Sequence, residues 1–256
     1  MRTIAVANQK GGVGKSTTAV HLASGLSRAG QRVLAVDCDP QANMTQMVGV
    51  RLDEVTASLY DVLVGGKPLI PLVQRAREGF DVLPSEMGLG RAEMQLVSAF
   101  GRDRKLRKAL EPVRASYDYC IIDTPPNIGL LTLLALVAAD GVLIPVQPEA
   151  YPIKGIAYLL ETLEEVREEN PGIEVIGILP TLRRRIKHHD EMIARLQTRY
   201  ADMNILEAIP EAAVFGRAAA AQQTVFEFDP DSAGARAYEH LIDAITSSKE
   251  GIRATA

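Results

Sequence analysis

The sequence predicts an α/β fold, a doubly wound and mostly parallel sheet of about seven to eight strands with helices on both faces. Two observations carry this. Short apolar runs alternate with longer helical patterns from one end of the chain to the other. The runs are continuous rather than alternating apolar and polar, as expected of parallel strands covered on both sides. With 256 residues, 47% of them hydrophobic, the chain can bury one large core, and residues 1–256 read as a single domain.

The elements follow in order. Thr3–Asn8 is the first strand, and Ser16–Arg28 the first helix, packed with Ala, Val and Leu at helical spacing. Arg32–Asp37 and Phe80–Leu83 are short apolar strands, with a helix expected over Met87–Phe100. Tyr119–Asp123 and Gly141–Val146 flank a helix at Ile128–Ala138, and a further helix spans Gly155–Glu169. Ile173–Leu179, a helix at Asp190–Tyr200, and a last strand at Ile205–Ile209 complete the β-α-β alternation. The final helix spans Ala233–Thr246, with Ser247–Ala256 expected to fray. The right-handed rule for parallel crossovers closes such a chain as a doubly wound sheet. No internal repeat or low-complexity linker interrupts it.

Composition narrows the class. With 28 Lys+Arg, 32 Asp+Glu and 23% charged residues, the formal charge is −4, an ordinary soluble balance that excludes a disordered or collagen-like chain. No secretory leader is readable, because Thr3–Ala7 is short and Asn8 interrupts it. The longest apolar stretch, Ile128 to Ala139, falls short of the roughly 20 residues of a spanning helix. The two cysteines, Cys38 and Cys120, lie in strand-like runs and read as buried reduced thiols. A cytoplasmic location is expected.

The first strand runs into Asn8-Gln9-Lys10-Gly11-Gly12-Val13-Gly14-Lys15-Ser16-Thr17 and then a helix. Strand, glycine turn and helix N-terminus together make a phosphate site. Gly11, Gly12 and Gly14 allow the tight turn whose N–H groups, with those of Val13, Ser16 and Thr17, point inward. The helix dipole adds to the anion site. Lys15 is placed for the β- and γ-phosphates, and the Ser16 hydroxyl for Mg²⁺. This is the signature of a P-loop NTPase fold.

Gln9 stands where an ordinary phosphate loop has its first glycine, and Lys10 comes five residues before Lys15. Here the chain resembles the ParA/MinD family of ATPases, whose deviant Walker A motif reads Lys-Gly-Gly-x-Gly-Lys-Ser/Thr. The resemblance implies that Lys10 reaches across a dimer interface to the partner's nucleotide. Two lysines on one tight loop cannot easily serve the same γ-phosphate, which agrees with that assignment.

Two acidic strings complete the resemblance. Asp37-Cys38-Asp39-Pro40-Gln41-Ala42-Asn43 resembles the family's switch I, and Ile121-Ile122-Asp123-Thr124-Pro125-Pro126 its Walker B and switch II segment. Both follow strand ends, where open parallel sheets bind ligands. The resemblance implies that Asp39 positions the attacking water and that Asp123 holds Mg²⁺ through water, with Asp37 supporting the site as a further metal residue beside Ser16. Thr181 and Pro210 fall where family members contact adenine, although strand-end turn chemistry also accounts for them. Pro145-Val146-Gln147-Pro148-Glu149 and Leu59-Tyr60-Asp61-Val62-Leu63 resemble family segments too.

Residues 102–114 and 182–199 each carry a net charge of +4, which leaves −12 for the remainder of the chain. Such segregation is an electrostatic footprint of phosphate binding. Arg183, Arg184, Arg185 and Lys187, expected to begin a helix, are the densest part, and Arg102–Arg114 also fits a solvated face. Resemblance to the ParA branch implies an ATP-bound homodimer on non-specific DNA, associated with the nucleoid, and a ParB-like partner that stimulates hydrolysis.

After Pro210 the chain reads Glu211-Ala212-Ala213-Val214-Phe215-Gly216-Arg217, closer to small plasmid-type members than to chromosomal ones. Arg217 is the single basic candidate there for DNA, and the cargo stays open between plasmid and chromosome. The end of the chain lacks the amphipathic character of a MinD-type membrane helix. It also lacks the tyrosine cluster of the related bacterial kinases, and no cysteine is placed for the cluster of a nitrogenase-iron-protein relative. A different class is a nucleotide-gated scaffold that positions a protein cargo.

Overall fold

The structure, a computed structural model, describes residues 1–76, 78–149 and 152–253. Seven strands form one sheet: β1 (Arg2–Val6), β2 (Val33–Asp37), β3 (Gln74–Arg75), β4 (Asp81–Leu83), β5 (Tyr119–Asp123), β6 (Gly141–Val146) and β7 (Glu174–Pro180). Their order is β3-β4-β2-β5-β1-β6-β7, parallel throughout except for the antiparallel β3–β4 pair at one edge. The helices are α1 (Lys15–Arg28), α2 (Asn43–Met47), α3 (Leu59–Leu63), α4 (Leu89–Leu96), α5 (Lys105–Leu110), α6 (Leu130–Ala138), α7 (Pro152–Glu169), α8 (Lys187–Arg199), α9 (Ala213–Ala220), α10 (Val225–Phe228) and α11 (Ala233–Arg253).

The continuous apolar runs are explained by two cores, one on each face of the sheet. Ala5, Leu34, Val36, Cys120, Ile122, Val142 and Ile144 pack with residues of α3 to α7. Their immediate neighbours Ile4, Val6, Val33, Ala35, Tyr119, Ile121 and Leu143 pack with α1, α2, α9, α10 and α11. Successive side chains point to opposite faces of a strand, so a strand buried twice needs an apolar residue at every position. Cys38 and Cys120 are buried free thiols.

Four expectations change. Ile205–Ile209 is not a strand of the sheet: it meets β7 at separate bridges, Ile178 with Ile205 and, beyond the end of β7, Arg183 with Pro210. The helix expected over Met87–Phe100 contracts to Leu89–Leu96, because Phe100 finds no burial and Gly101 turns the chain at φ 61°. Arg183–Arg185 precede the helix rather than begin it, since α8 starts at Lys187. The last helix continues past Thr246 to Arg253, and residues 254–256 lie outside those described.

Among the described residues no helix is long and apolar enough to cross a membrane.

Candidate nucleotide-binding site

All parallel strands end on one side, and the loops leaving β1, β2 and β5 converge there. Between β1 and α1 the backbone turns at Gly12 (φ 72°) and Gly14 (φ 79°), left-handed conformations that glycine adopts without a Cβ penalty. The Asn8 side chain holds the turn from within, accepting from the Lys10 N–H at 3.0 Å and donating to the Pro145 carbonyl at 2.6 Å. Thr181, at the end of β7, braces it from below by donating to the Val13 carbonyl at 2.8 Å.

The result is an open cleft of about 690 Å³. Its phosphate end is lined by Gly11, Gly12, Gly14, Lys15, Ser16 and Thr17, with Asp39 and Pro126 facing them. Val13 is buried beneath the loop rather than in the cleft wall.

Lys15 is 7% exposed, and its Nζ donates to the Lys10 carbonyl at 3.1 Å. Burial lowers its pKa, and the charges of Asp123 and Asp39 oppose that shift. Lys10 has the opposite fate. It is exposed, and its Nζ reaches away to Glu149 Oε2 at 2.5 Å. The two lysines of the loop are thus divided between the inside of the cleft and its rim.

Asp37 and Asp123 are fully buried side by side at the ends of paired strands β2 and β5. Among the described residues, neither carboxylate oxygen of Asp123 has a hydrogen-bond partner. Burial drives its pKa well up, the Asp37 charge adds to this, and the Ser16 hydroxyl opposes it. A buried carboxylate without partners is costly unless a cation serves it. The Asp123 carboxylate and the Ser16 hydroxyl are a donor set that fits Mg²⁺; bound there, the ion would neutralise charge on the phosphate oxygens. Among the described residues no three His, Cys, Asp or Glu side chains form a cage for a metal ion. That suits Mg²⁺, which keeps much of its water.

Asp37 is differently placed. Its two oxygens accept from the backbone N–H groups of Asp39 (3.1 Å) and Thr45 (2.8 Å) and from the Thr45 hydroxyl (2.7 Å). It anchors the loop, and these bonds take three of the roughly four lone-pair positions of its carboxylate.

Thr181 is 2% exposed beneath the loop, and Pro210 lies outside the cleft lining. The wall away from the phosphates is instead made by Leu182, Ala219, Ala220 and Gln222, with Asn43, Gln46 and Met47 opposite. Nothing in the sequence marks α9 as part of the site. One signal is conformational: among the described residues the non-glycine residues with positive φ are Ala42, Leu182 and Gln222, each at 53°. Two of them line the cleft and Ala42 precedes lining residue Asn43, as expected of strain held at a binding site.

The basic candidates are largely paired within the molecule. Arg183 bonds Asp190 at 2.8 Å, Arg184 forms an ion pair with Glu211, and Lys187 lies 3.6 Å from Glu191. Arg185 is exposed with no ion pair among the described residues. Arg217 sits over the Phe228 ring at 5.7 Å. In the second cluster Arg104 pairs with Glu169, and Lys105 donates to the Leu63 carbonyl at 2.9 Å.

Sequence comparison agrees with this geometry. The AAA domain family model matches residues 1–175. The chain is 38% identical over 250 residues to the sporulation initiation inhibitor protein Soj of Bacillus subtilis, covering 96% of this chain and 99% of that one. It is 36% identical over 261 residues to the chromosome partitioning protein ParA of Caulobacter vibrioides, covering 100% and 98%. The chain belongs to the ParA/MinD family of deviant Walker A ATPases, as a ParA-type member.

Solved structures share its fold. Cobyrinic acid a,c-diamide synthase from Mycobacterium smegmatis, with bound ATP analog and magnesium, superposes with a TM-score of 0.87 at 34% identity, covering 98% of this chain and 96% of that one. McdA from Cyanothece, solved as an ATP complex, gives 0.86 at 25%, covering 96% of each chain. A model of 4Fe-4S iron sulfur cluster binding proteins of the NifH/frxC family also matches residues 138–256. This ParA-type chain has its two cysteines, Cys38 and Cys120, outside that stretch.

Proposed function

We propose that the chain is an ATP-dependent partition ATPase of one domain, with ATP and Mg²⁺ as cofactors. ATP binding joins two copies as a sandwich dimer that holds DNA non-specifically. A ParB-like partner stimulates hydrolysis, the dimer parts and DNA is released, with slow turnover when the partner is absent. The protein works in the cytoplasm on the nucleoid, with no membrane step.

The observation that carries this reading is the division of the two lysines. Lys15 is buried at the phosphates of its own cleft, whereas Lys10, five residues earlier, points outward from the same loop. An outward lysine on a phosphate loop is of use to a nucleotide held by another copy. Within each cleft, backbone N–H groups of residues 11–17 cradle the phosphates and Lys15 stabilises charge on the transferred group. Asp39 orients the water, and Asp37 holds the loop that carries Asp39. Leu182, Ala219, Ala220 and Gln222 form the base side of the cleft, with Thr181 and Pro210 acting behind it. Arg183, Arg184, Arg185, Lys187 and Arg217 are the DNA candidates.

A second reading is a nucleotide-gated scaffold for a protein cargo. The observation favouring it is that Arg183, Arg184 and Lys187 are already neutralised by acids of the same chain.

Three variants test the reading. Asp39→Ala leaves ATP bound and traps the dimer, and undiminished hydrolysis would move the water-orienting role elsewhere. Lys10→Ala abolishes ATP-dependent dimerisation measured by sedimentation, and normal dimerisation would remove its role across the interface. Changing Arg183, Arg184 and Arg185 to Glu abolishes binding to random-sequence duplex DNA while dimerisation persists. If the unaltered protein binds no DNA in any nucleotide state, the scaffold reading replaces the partition reading.

A further inference from the structure

Asp39 lies on a loop between β2 and α2, and a carboxylate that orients water needs a fixed direction. The loop has no regular ladder to fix it. What surrounds it instead is a closed ring of hydrogen bonds. The Asp39 N–H donates to Asp37 Oδ1 at 3.1 Å. Asp37 Oδ2 accepts from the Thr45 hydroxyl at 2.7 Å and from the Thr45 N–H at 2.8 Å. Thr45 Oγ1 then accepts from the Ser85 N–H at 3.0 Å, and the Ser85 hydroxyl donates to the Asp39 carbonyl at 2.7 Å.

The ring therefore grips Asp39 by both of its main-chain polar groups, one on each side of its Cα. Thr45, Ser85 and Asp37 are 0% exposed and Asp39 5%, so water does not compete for these bonds. The Asp39 carbonyl takes a second bond from the Ala42 N–H at 2.9 Å. One carboxylate oxygen of Asp39 is fixed by the Gln41 N–H at 2.9 Å. Ser85 belongs to the segment that leaves β4, the neighbour of β2 in the sheet. The loop bearing Asp39 is thus tied to a strand end whose own residues do not line the cleft.

We propose that Thr45 and Ser85 are positioning residues for hydrolysis, setting the direction of the Asp39 carboxylate through its main chain. This rests on the reading of Asp39 as the group that orients water. Neither residue lines the cleft, so their loss acts on the chemical step and leaves nucleotide binding in place.

The test is single-turnover hydrolysis at saturating Mg-ATP, alongside nucleotide affinity from a fluorescent ATP analogue and thermal melting. Ser85→Ala removes the hydroxyl bond and keeps the Ser85 N–H. Thr45→Val removes the other hydroxyl at nearly constant shape. Each is expected to slow hydrolysis about ten-fold, the scale of one buried hydrogen bond, with analogue affinity within about two-fold. Thr45→Ser, which keeps the hydroxyl, restores most of what Thr45→Val loses.

Asp39→Ala run in parallel separates the two claims. If Asp39→Ala hydrolyses ATP normally, the role of Asp39 falls and that of the ring with it. If Asp39→Ala is inactive while Ser85→Ala and Thr45→Val keep the unaltered rate, the ring alone is refuted. A parallel loss of rate, affinity and melting temperature would make the ring a folding element and overturn the proposal equally.

Discussion

Lys10 and Glu149 form a pair with both side chains about half exposed, 50% and 49%. The lysine holds the Glu149 carboxyl below its ordinary range through their hydrogen bond. An exposed pair of this kind is worth about 0–1 kcal/mol, so it parks the lysine without locking it. In the proposed dimer Lys10 must leave Glu149 to reach the other copy's phosphates. Glu149→Gln should therefore tighten ATP-dependent dimerisation, by at most about thirty-fold, the factor allowed by about 1 kcal/mol from each of the two copies. Sedimentation at graded ATP concentrations reads this directly, and a weaker dimer would mean that Glu149 supports the interface instead of competing with it. The same residues show what sequence can reveal at this scale. The phosphate loop was legible because its glycines, lysines and serine are contiguous in the chain, although the bonds that brace it from Pro145 and Thr181 were not. Thr45 and Ser85 were not, because they meet across 40 residues of chain. Nor were Ala219, Ala220 and Gln222, whose small or neutral side chains signal nothing until α9 is folded against the cleft.

Helix α1 carries the phosphate loop at its N-terminus and is pinned one turn later by His21. Its Nδ1 lies 2.7 Å from the Thr17 carbonyl, and its Nε2 lies 3.0 Å from the Val225 N–H. The carbonyl needs a donor and the N–H an acceptor, so the ring is neutral with its proton on Nδ1. The ring also stacks on Tyr238 of α11 at 4.6 Å. Burial lowers the His21 pKa to about 4. The unfolded chain takes up this proton near 6.5, so between those values it binds more protons than the fold and stability falls as pH falls. The full loss is about 3 kcal/mol by the time pH passes below 4. The buried carboxylates Asp37 and Asp123 are shifted upward and act with the opposite sign. The informative quantity is hence the difference between the unaltered protein and His21→Gln in urea unfolding. That difference should shrink as pH drops from about 7 to 4.5; a pH-independent difference would show that His21 does not titrate on unfolding. Elements were legible where both sheet faces demanded apolar residues, as at Tyr119–Asp123 and Gly141–Val146, whose bounds the fold reproduces. They were not legible where partnering decides the outcome. Gln74–Arg75 is a strand only because it pairs with β4, and Ile205–Ile209 fails as one because β7 accepts it at isolated points. Helix α3 was within reach, since Ser58 and Asp61 form a capping box around its first turn.

At the scale of the whole molecule, the proposed DNA binding by a chain of net charge −4 would have to come from local concentrations of positive charge. The segment 183–187 has four cations, but Asp190, Glu211 and Glu191 already face three of them. All three pairs are at the surface, so exchanging a carboxylate for a DNA phosphate costs little. The number of cations that make the exchange is measurable, because each phosphate neutralised releases counterions. If all four engage on both copies of a dimer, log K should fall with log salt with a slope of about −7. If the internal pairs persist and Arg185 alone engages, the slope is about −2. Glu211→Gln removes the carboxylate that competes for Arg184. It should strengthen ATP-dependent binding to random duplex several-fold, with the slope steepening by about 2 if Arg184 had been held back and staying constant if it already engaged. Unchanged affinity in Glu211→Gln, together with unchanged affinity in Arg185→Glu, would place the DNA-binding face elsewhere. The next candidates would then be Arg102 and Lys108, the members of the second basic cluster with neither an ion pair nor a side-chain hydrogen bond among the described residues.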